Sequence, residues 1–133
     1  MTEASTPATL ADRRILVAED EYIIAEEVAL VLAEAGAEVL GPVASVADAL
    51  RFVAIGERIG GALLDVNLRG RAIWPVVDAL LARGVPVVLT TGYDAGALPA
   101  AYAHLPRCEK PTSGRALIRA LVCVLAARCP AGG

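Results

Sequence analysis

Ile15-Leu16-Val17-Ala18-Glu19-Asp20-Glu21 decides the fold. Four apolar residues run without alternation, as in a strand covered on both faces, and three carboxylates follow at once. The periodicity then changes. Ile23, Ile24, Glu26, Glu27, Val28, Leu30, Val31, Leu32 and Glu34 keep helical spacing, and Gly36 stands where a helix C-cap is expected. A buried strand, an acidic turn and an amphipathic helix are the start of a parallel α/β unit.

The same unit recurs along the chain. Ala37 to Leu40 reads as a short strand ended by Gly41-Pro42, and Ser45 as the N-cap of a helix from Val46 to Ile55. Gly60-Gly61, a turn and not a phosphate loop, leads into Ala62–Leu64, a strand ending at Asp65. After the loop Asn67-Leu68-Arg69-Gly70 a helix is predicted from Ala72 to Arg83. Pro75 sits in its first turn, where a missing N–H costs little, and Gly84 closes it. Val85 to Thr90 is the most strand-like segment, ended by Thr91-Gly92. Asp94 to Ala103 is weakly helical and broken by Gly96 and Pro99. Leu105 to Cys108 is a short strand, and Thr112 or Ser113 caps a last helix to Arg128. Five strands alternating with five helices predict an α/β fold with a doubly wound, five-stranded parallel sheet in the order 2-1-3-4-5. The domain spans 13–128, with short tails at 1–12 and 129–133.

Composition narrows the function. Of 133 residues 56% are hydrophobic and 20% charged, which excludes a disordered chain. Twelve Lys and Arg face 15 Asp and Glu, so the net charge is −3 and no nucleic-acid footprint exists. Mean hydropathy is high at +0.59, yet Glu26, Glu27 and Arg119 interrupt the apolar runs. No stretch of about 18 apolar residues remains to insert in a membrane, and Met1 to Asp12 lacks a signal-peptide pattern. Cys108, Cys123 and Cys129 are odd in number and lack C-x-x-C spacing. They predict neither a disulfide scaffold nor a zinc site, and a cytoplasmic location fits.

In open parallel sheets, sites form beyond the carboxyl ends of the strands. Those ends carry Glu19-Asp20, Asp65, Thr90-Thr91 and Glu109-Lys110-Pro111, on four strands that the predicted order makes neighbours. Carboxylates so close repel one another, and a hard divalent cation such as Mg²⁺ resolves the conflict. A central Asp can act as a nucleophile toward phosphorus, with Lys and Thr to hold the phosphoryl oxygens.

Four motifs in order resemble the receiver domain of two-component response regulators, of the CheY-like kind: residues 15–21, Leu63-Leu64-Asp65-Val66-Asn67-Leu68, Thr90-Thr91-Gly92-Tyr93 and Glu109-Lys110-Pro111. The resemblance spans about residues 13 to 128. It implies that Asp65 is the phosphoacceptor. It implies Mg²⁺ held by Glu19, Asp20, Asp65 and the backbone carbonyl of Asn67. It makes Thr91 the switch hydroxyl and Lys110 the phosphoryl contact, with the side chains of Asn67 and Tyr93 tuning autodephosphorylation. The position three before Lys110, often an aromatic switch, is Arg107 here. Thr91-Gly92-Tyr93 and the broken fourth helix resemble the FATGUY subgroup, whose members often stand alone.

The expected protein is a single-domain response regulator, not a metabolic enzyme, catalysing only its own Mg²⁺-dependent phosphorylation and dephosphorylation. Its partners would be a sensor histidine kinase or phosphotransfer protein and an unknown downstream protein, with itself a monomer or homodimer. Alternatives are a degenerate receiver acting without phosphorylation, a phosphate sink, or an aspartyl phosphatase. The last wants a second Asp where Asn67 stands. His104 reads as a surface or packing residue, Trp74 as packing at a helix start, and Asp20 also as a possible cap of the first helix.

Overall fold

The apolar run at 15–18 lies at the centre of a sheet. The computed structural model describes residues 10–55, 58–92 and 98–126. In chain order it contains β1 (Arg14–Ala18), α1 (Tyr22–Glu34), β2 (Glu38–Val43), α2 (Val46–Ala54), β3 (Gly61–Asp65), β4 (Asn67–Leu68), β5 (Arg71–Ala72), α3 (Trp74–Ala82), β6 (Val87–Thr91), a 3₁₀ turn (Ala100–Tyr102), β7 (Arg107–Glu109) and α4 (Gly114–Leu125). The main sheet is parallel, in the order β2-β1-β3-β6-β7, and has the flavodoxin-like topology expected.

Both faces of the sheet are covered, which is why its inner strands do not alternate. On one face Leu16, Leu64 and Leu89 pack with Val53, Val77 and Leu80 of α2 and α3. On the other, Ile15, Val17, Leu63 and Val88 pack with Leu32 of α1 and with Leu117 and Leu121 of α4. Leu10, ahead of β1, is fully buried in this second layer and its N–H donates to the Ala35 carbonyl at 2.9 Å. Truncating any one of these leucines to alanine costs about 2–5 kcal/mol through lost transfer energy and the cavity left behind.

Caps set the helix starts. Ser45 Oγ accepts from Asp48 N at 3.1 Å, and Ser113, of the two candidates, caps α4 by accepting from Ala116 N at 3.1 Å. Pro75 occupies the first turn of α3.

Several boundaries differ from expectation for local reasons. β2 does not stop at Gly41-Pro42 but continues to Val43. It is an edge strand, where a proline removes no shared hydrogen bond. The register slips between Leu16 and Ala18 on β1 opposite Gly41, whose φ is +94°. Past this bulge Ala18 pairs with Val43, and the Val43 carbonyl accepts from Glu19 N at 2.9 Å. The irregularity therefore fixes the first acidic residue. α3 begins at Trp74 and not Ala72, because Arg71–Ala72 pairs antiparallel with Asn67–Leu68 in a hairpin. Its turn residues Arg69 and Gly70 have φ of +53° and +82°. In place of the weak fourth helix, the described residues hold only the 3₁₀ turn at Ala100–Tyr102; residues 93–97 lie outside them. Cys108 is a free thiol, whereas Cys123 is disulfide-bonded, contrary to the expectation from the cysteine spacing.

Candidate functional site

Adjacent parallel strands bring their carboxyl ends together. Asp65 closes β3, opposite Thr90 of β6, and Thr91 lies opposite Glu109 of β7. The Thr91 carbonyl accepts from Lys110 N at 2.8 Å, carrying the ladder one residue past β7. The Lys110–Pro111 peptide is cis. Lys110 thus lies at the same sheet margin as Glu19, Asp20 and Asp65.

The charges meet there. Carboxylate oxygens of Glu19, Asp20 and Asp65 lie within 4.8 Å of one another. Lys110 Nζ donates to Asp65 Oδ2 at 2.6 Å and to Glu19 Oε1 at 2.8 Å. Glu19 and Asp65 are 5% and 6% exposed, so neither is solvated enough to tolerate its neighbour unaided. Burial pushes the Glu19 carboxyl above the usual carboxylate range; hydrogen bonds from Lys110 and from Glu21 N oppose that push, and the charge of Asp65 adds to it. Burial pulls Lys110 the other way, but its bonds to Asp65 and Glu19 outweigh this and hold its ammonium above the ordinary value.

Backbone donors fix the carboxylates. Glu21 N donates to Glu19 Oε2 at 3.0 Å and Asn67 N to Asp65 Oδ1 at 3.0 Å. Asp20 does not cap α1, whose N-cap residue Glu21 makes no side-chain cap bond. Instead Asp20 Oδ2 accepts from Arg69 N at 2.7 Å, so the β4–β5 turn holds it. The Asn67 amide oxygen is used within the same hairpin, accepting from Gly70 N at 2.8 Å.

Three carboxylates against one ammonium, which Glu19 and Asp65 share, leave the cluster with a net negative charge, and every carboxylate donor is a hard oxygen. Among the described residues Asp20 Oδ1 has no hydrogen-bond partner. This donor set suits Mg²⁺ and is unsuited to softer metals. The margin opens on a cavity of about 630 Å³. Its lining includes the polar Asp20, Asp65, Asn67 and Lys110 and the apolar Trp74, Leu98 and Pro99.

The structure thus gathers Glu19, Asp20, Asp65 and Lys110; Thr90, paired with Asp65 across the strands, and Thr91, whose carbonyl accepts from Lys110 N, are both buried. Arg107 is exposed at the start of β7, and His104 is exposed. Tyr93 lies outside the described residues. The sequence reading missed the hairpin grip on Asp20 and the place of Trp74 in the cavity lining, for which no local spacing gives a signal.

A doubly wound parallel sheet carrying an acidic cluster and a lysine at its carboxyl margin defines a class, and the chain belongs to it: the response regulator receiver domains. It is similar to SdrG from Sphingomonas melonis Fr1, with 36% identity over 86% of this chain and 97% of that one, at a TM-score of 0.76. The BeF3-activated conformation of SdrG matches at 0.72. A response regulator receiver protein from Sinorhizobium medicae WSM419 is 27% identical over 90% of this chain and 99% of that one, at 0.75. No family model matches the sequence, and no curated protein matches it.

Proposed function

We propose that the chain is a single-domain response regulator that accepts a phosphoryl group on Asp65 from a histidine kinase or phosphotransfer protein, and signals by binding another protein. The observation that carries this reading is the Lys110 ammonium, 2.6 Å from Asp65 Oδ2 within a cluster of three carboxylates. In this reading Glu19, Asp20, Asp65 and the Asn67 backbone carbonyl hold Mg²⁺, which supplies charge neutralisation for the incoming phosphoryl group. Asp65 attacks phosphorus; the bond to the donor breaks and an acyl phosphate forms. Lys110 leaves its bond to Asp65 for a phosphoryl oxygen, and the Thr91 hydroxyl supplies a second contact. The output is a shift between two conformations, driven by contacts that exist only in the phosphorylated state.

The 36% identity to SdrG, for which a BeF3-activated conformation is known, supports an acid pocket that takes phosphoryl mimics. Thr91-Gly92-Tyr93 supports placement with the FATGUY receivers. Among the described residues no helix is long and apolar enough to cross a membrane. A soluble, cytoplasmic partner to a kinase is the reading that agrees with this.

Intact-mass spectrometry after incubation with acetyl phosphate and Mg²⁺ tests it. One phosphoryl adduct on the wild type and none on Asp65→Asn is expected. An adduct that persists in Asp65→Asn refutes the assignment. Absence of both an adduct and BeF3⁻ binding leaves a degenerate module in its place.

A further inference from the structure

Trp74 belongs to the phosphoacceptor cavity by position and to a second structure by contact. It opens α3 and lines the cavity with Asp65 and Lys110. Its ring also lies on that of Tyr102, with centroids 4.3 Å apart and planes 7° from parallel. Tyr102 ends the 3₁₀ turn of the β6–β7 connection, and its hydroxyl donates to Asp78 Oδ1 at 2.7 Å. Asp78 is four residues beyond Trp74, one turn along the same helix. One tyrosine therefore grips α3 at two successive turns, with its ring on Trp74 and its hydroxyl on Asp78.

The grip is built in on the other side as well. Tyr102 N donates to the Pro99 carbonyl at 2.9 Å, and the Tyr102 carbonyl accepts from Leu105 N at 3.1 Å. Leu105 is buried in the main core. Pro99, which with Leu98 and Trp74 lines the cavity, is thus tied to α3 through Tyr102, and Leu98 adjoins it in the chain. Resting on the phosphoacceptor reading, we infer that Trp74 and Tyr102 are positioning residues. They hold the Leu98–Pro99 segment against the cavity and so limit water at the aspartyl phosphate. Neither touches the reacting atoms.

The test is the decay of the Asp65 adduct, followed by intact mass after rapid removal of acetyl phosphate, in wild type, Tyr102→Ala, Tyr102→Phe and Trp74→Ala. Hydrolysis about 2- to 10-fold faster is expected in Tyr102→Ala and Trp74→Ala, the weight of one aromatic pair expressed as a rate. Tyr102→Phe keeps the stack and loses only the hydroxyl, so it stays within about twofold of wild type. Trp74 is the one tryptophan in the chain, so BeF3⁻ with Mg²⁺ is expected to change wild-type emission. Equal decay rates in wild type and both alanine variants, with only a lower unfolding midpoint in the variants, overturn the inference and make the stack merely structural. Should an alanine variant not fold, Tyr102→Leu replaces it, and wild-type decay in that variant overturns the inference equally. Absence of both an adduct and BeF3⁻ binding on the wild type removes the phosphoacceptor reading itself, and this inference with it.

Discussion

Replacing Lys110 with alanine isolates the electrostatics of the site. Its ammonium contacts two carboxylates at 2.6 and 2.8 Å, and both are at least nine-tenths buried. At an effective dielectric constant of about 20, each contact is worth about 6 kcal/mol of gross Coulomb energy, most of it offset by desolvation. Deletion leaves the carboxylates buried, facing each other and uncompensated, a loss of about 3–5 kcal/mol. The loss has a pH signature. Burial already raises the Glu19 pKa above 4.5, and the variant removes the opposing Lys110 bond and charge. A carboxyl with a raised folded pKa contributes stability below its unfolded pKa and loses it as pH rises through the folded value. Lys110→Ala therefore becomes progressively less stable from about pH 4.5 upward. The wild type, with Lys110 still charged well above neutrality, declines less. If the cluster holds Mg²⁺ as proposed, the ion is expected to supply the missing positive charge and to stabilise the variant more than the wild type. Urea denaturation at pH 5, 7 and 8.5, with and without Mg²⁺, measures all three effects. A loss below about 1 kcal/mol at pH 7, or a loss that does not shrink toward pH 5, refutes the account of the site as a buried charge cluster.

Three further outcomes are expected. Gly41→Ala puts a Cβ 2.7 Å from Val43 N at a φ of +94°, whereas Gly70→Ala, at +82°, meets open space. The first is expected to cost about 3 kcal/mol or more and the second about 1–2 kcal/mol, compared by thermal unfolding. Ser113→Ala removes the hydroxyl that accepts from Ala116 N and is expected to cost about 1 kcal/mol in urea. Asp20→Asn is expected to weaken Mg²⁺ binding at least tenfold by calorimetry, with little change in unfolding midpoint, since the amide oxygen still accepts from Arg69 N.

The sheet and the charged corner were legible because both rest on short-range pattern. Uninterrupted apolar runs mark strands covered on two faces, and polar residues directly after them mark the sheet margin. The parallel order then brings Glu19, Asp20, Asp65 and Lys110 together. What stayed hidden depends on partners distant in sequence. Gly41-Pro42 looks like the end of a strand unless the edge position of β2 is known. Arg69 is an unusual residue for a left-handed turn position, so the β4–β5 hairpin gave no cue, and with it went the bond to Asp20, 49 residues away. Trp74 was placed correctly at a helix start, but nothing near it names Tyr102, 28 positions on.

The two margins of the sheet share a property. β2 is bent at Gly41-Pro42 and slips register there, and β7 is three residues long. A strand margin that is long, flat and regular is a template on which another chain can add itself. Neither margin here offers more than a few backbone groups in a straight row. The kink that sets Glu19 in place thus also makes one side of the molecule a poor seed for aggregation, and the shortness of β7 does the same for the other.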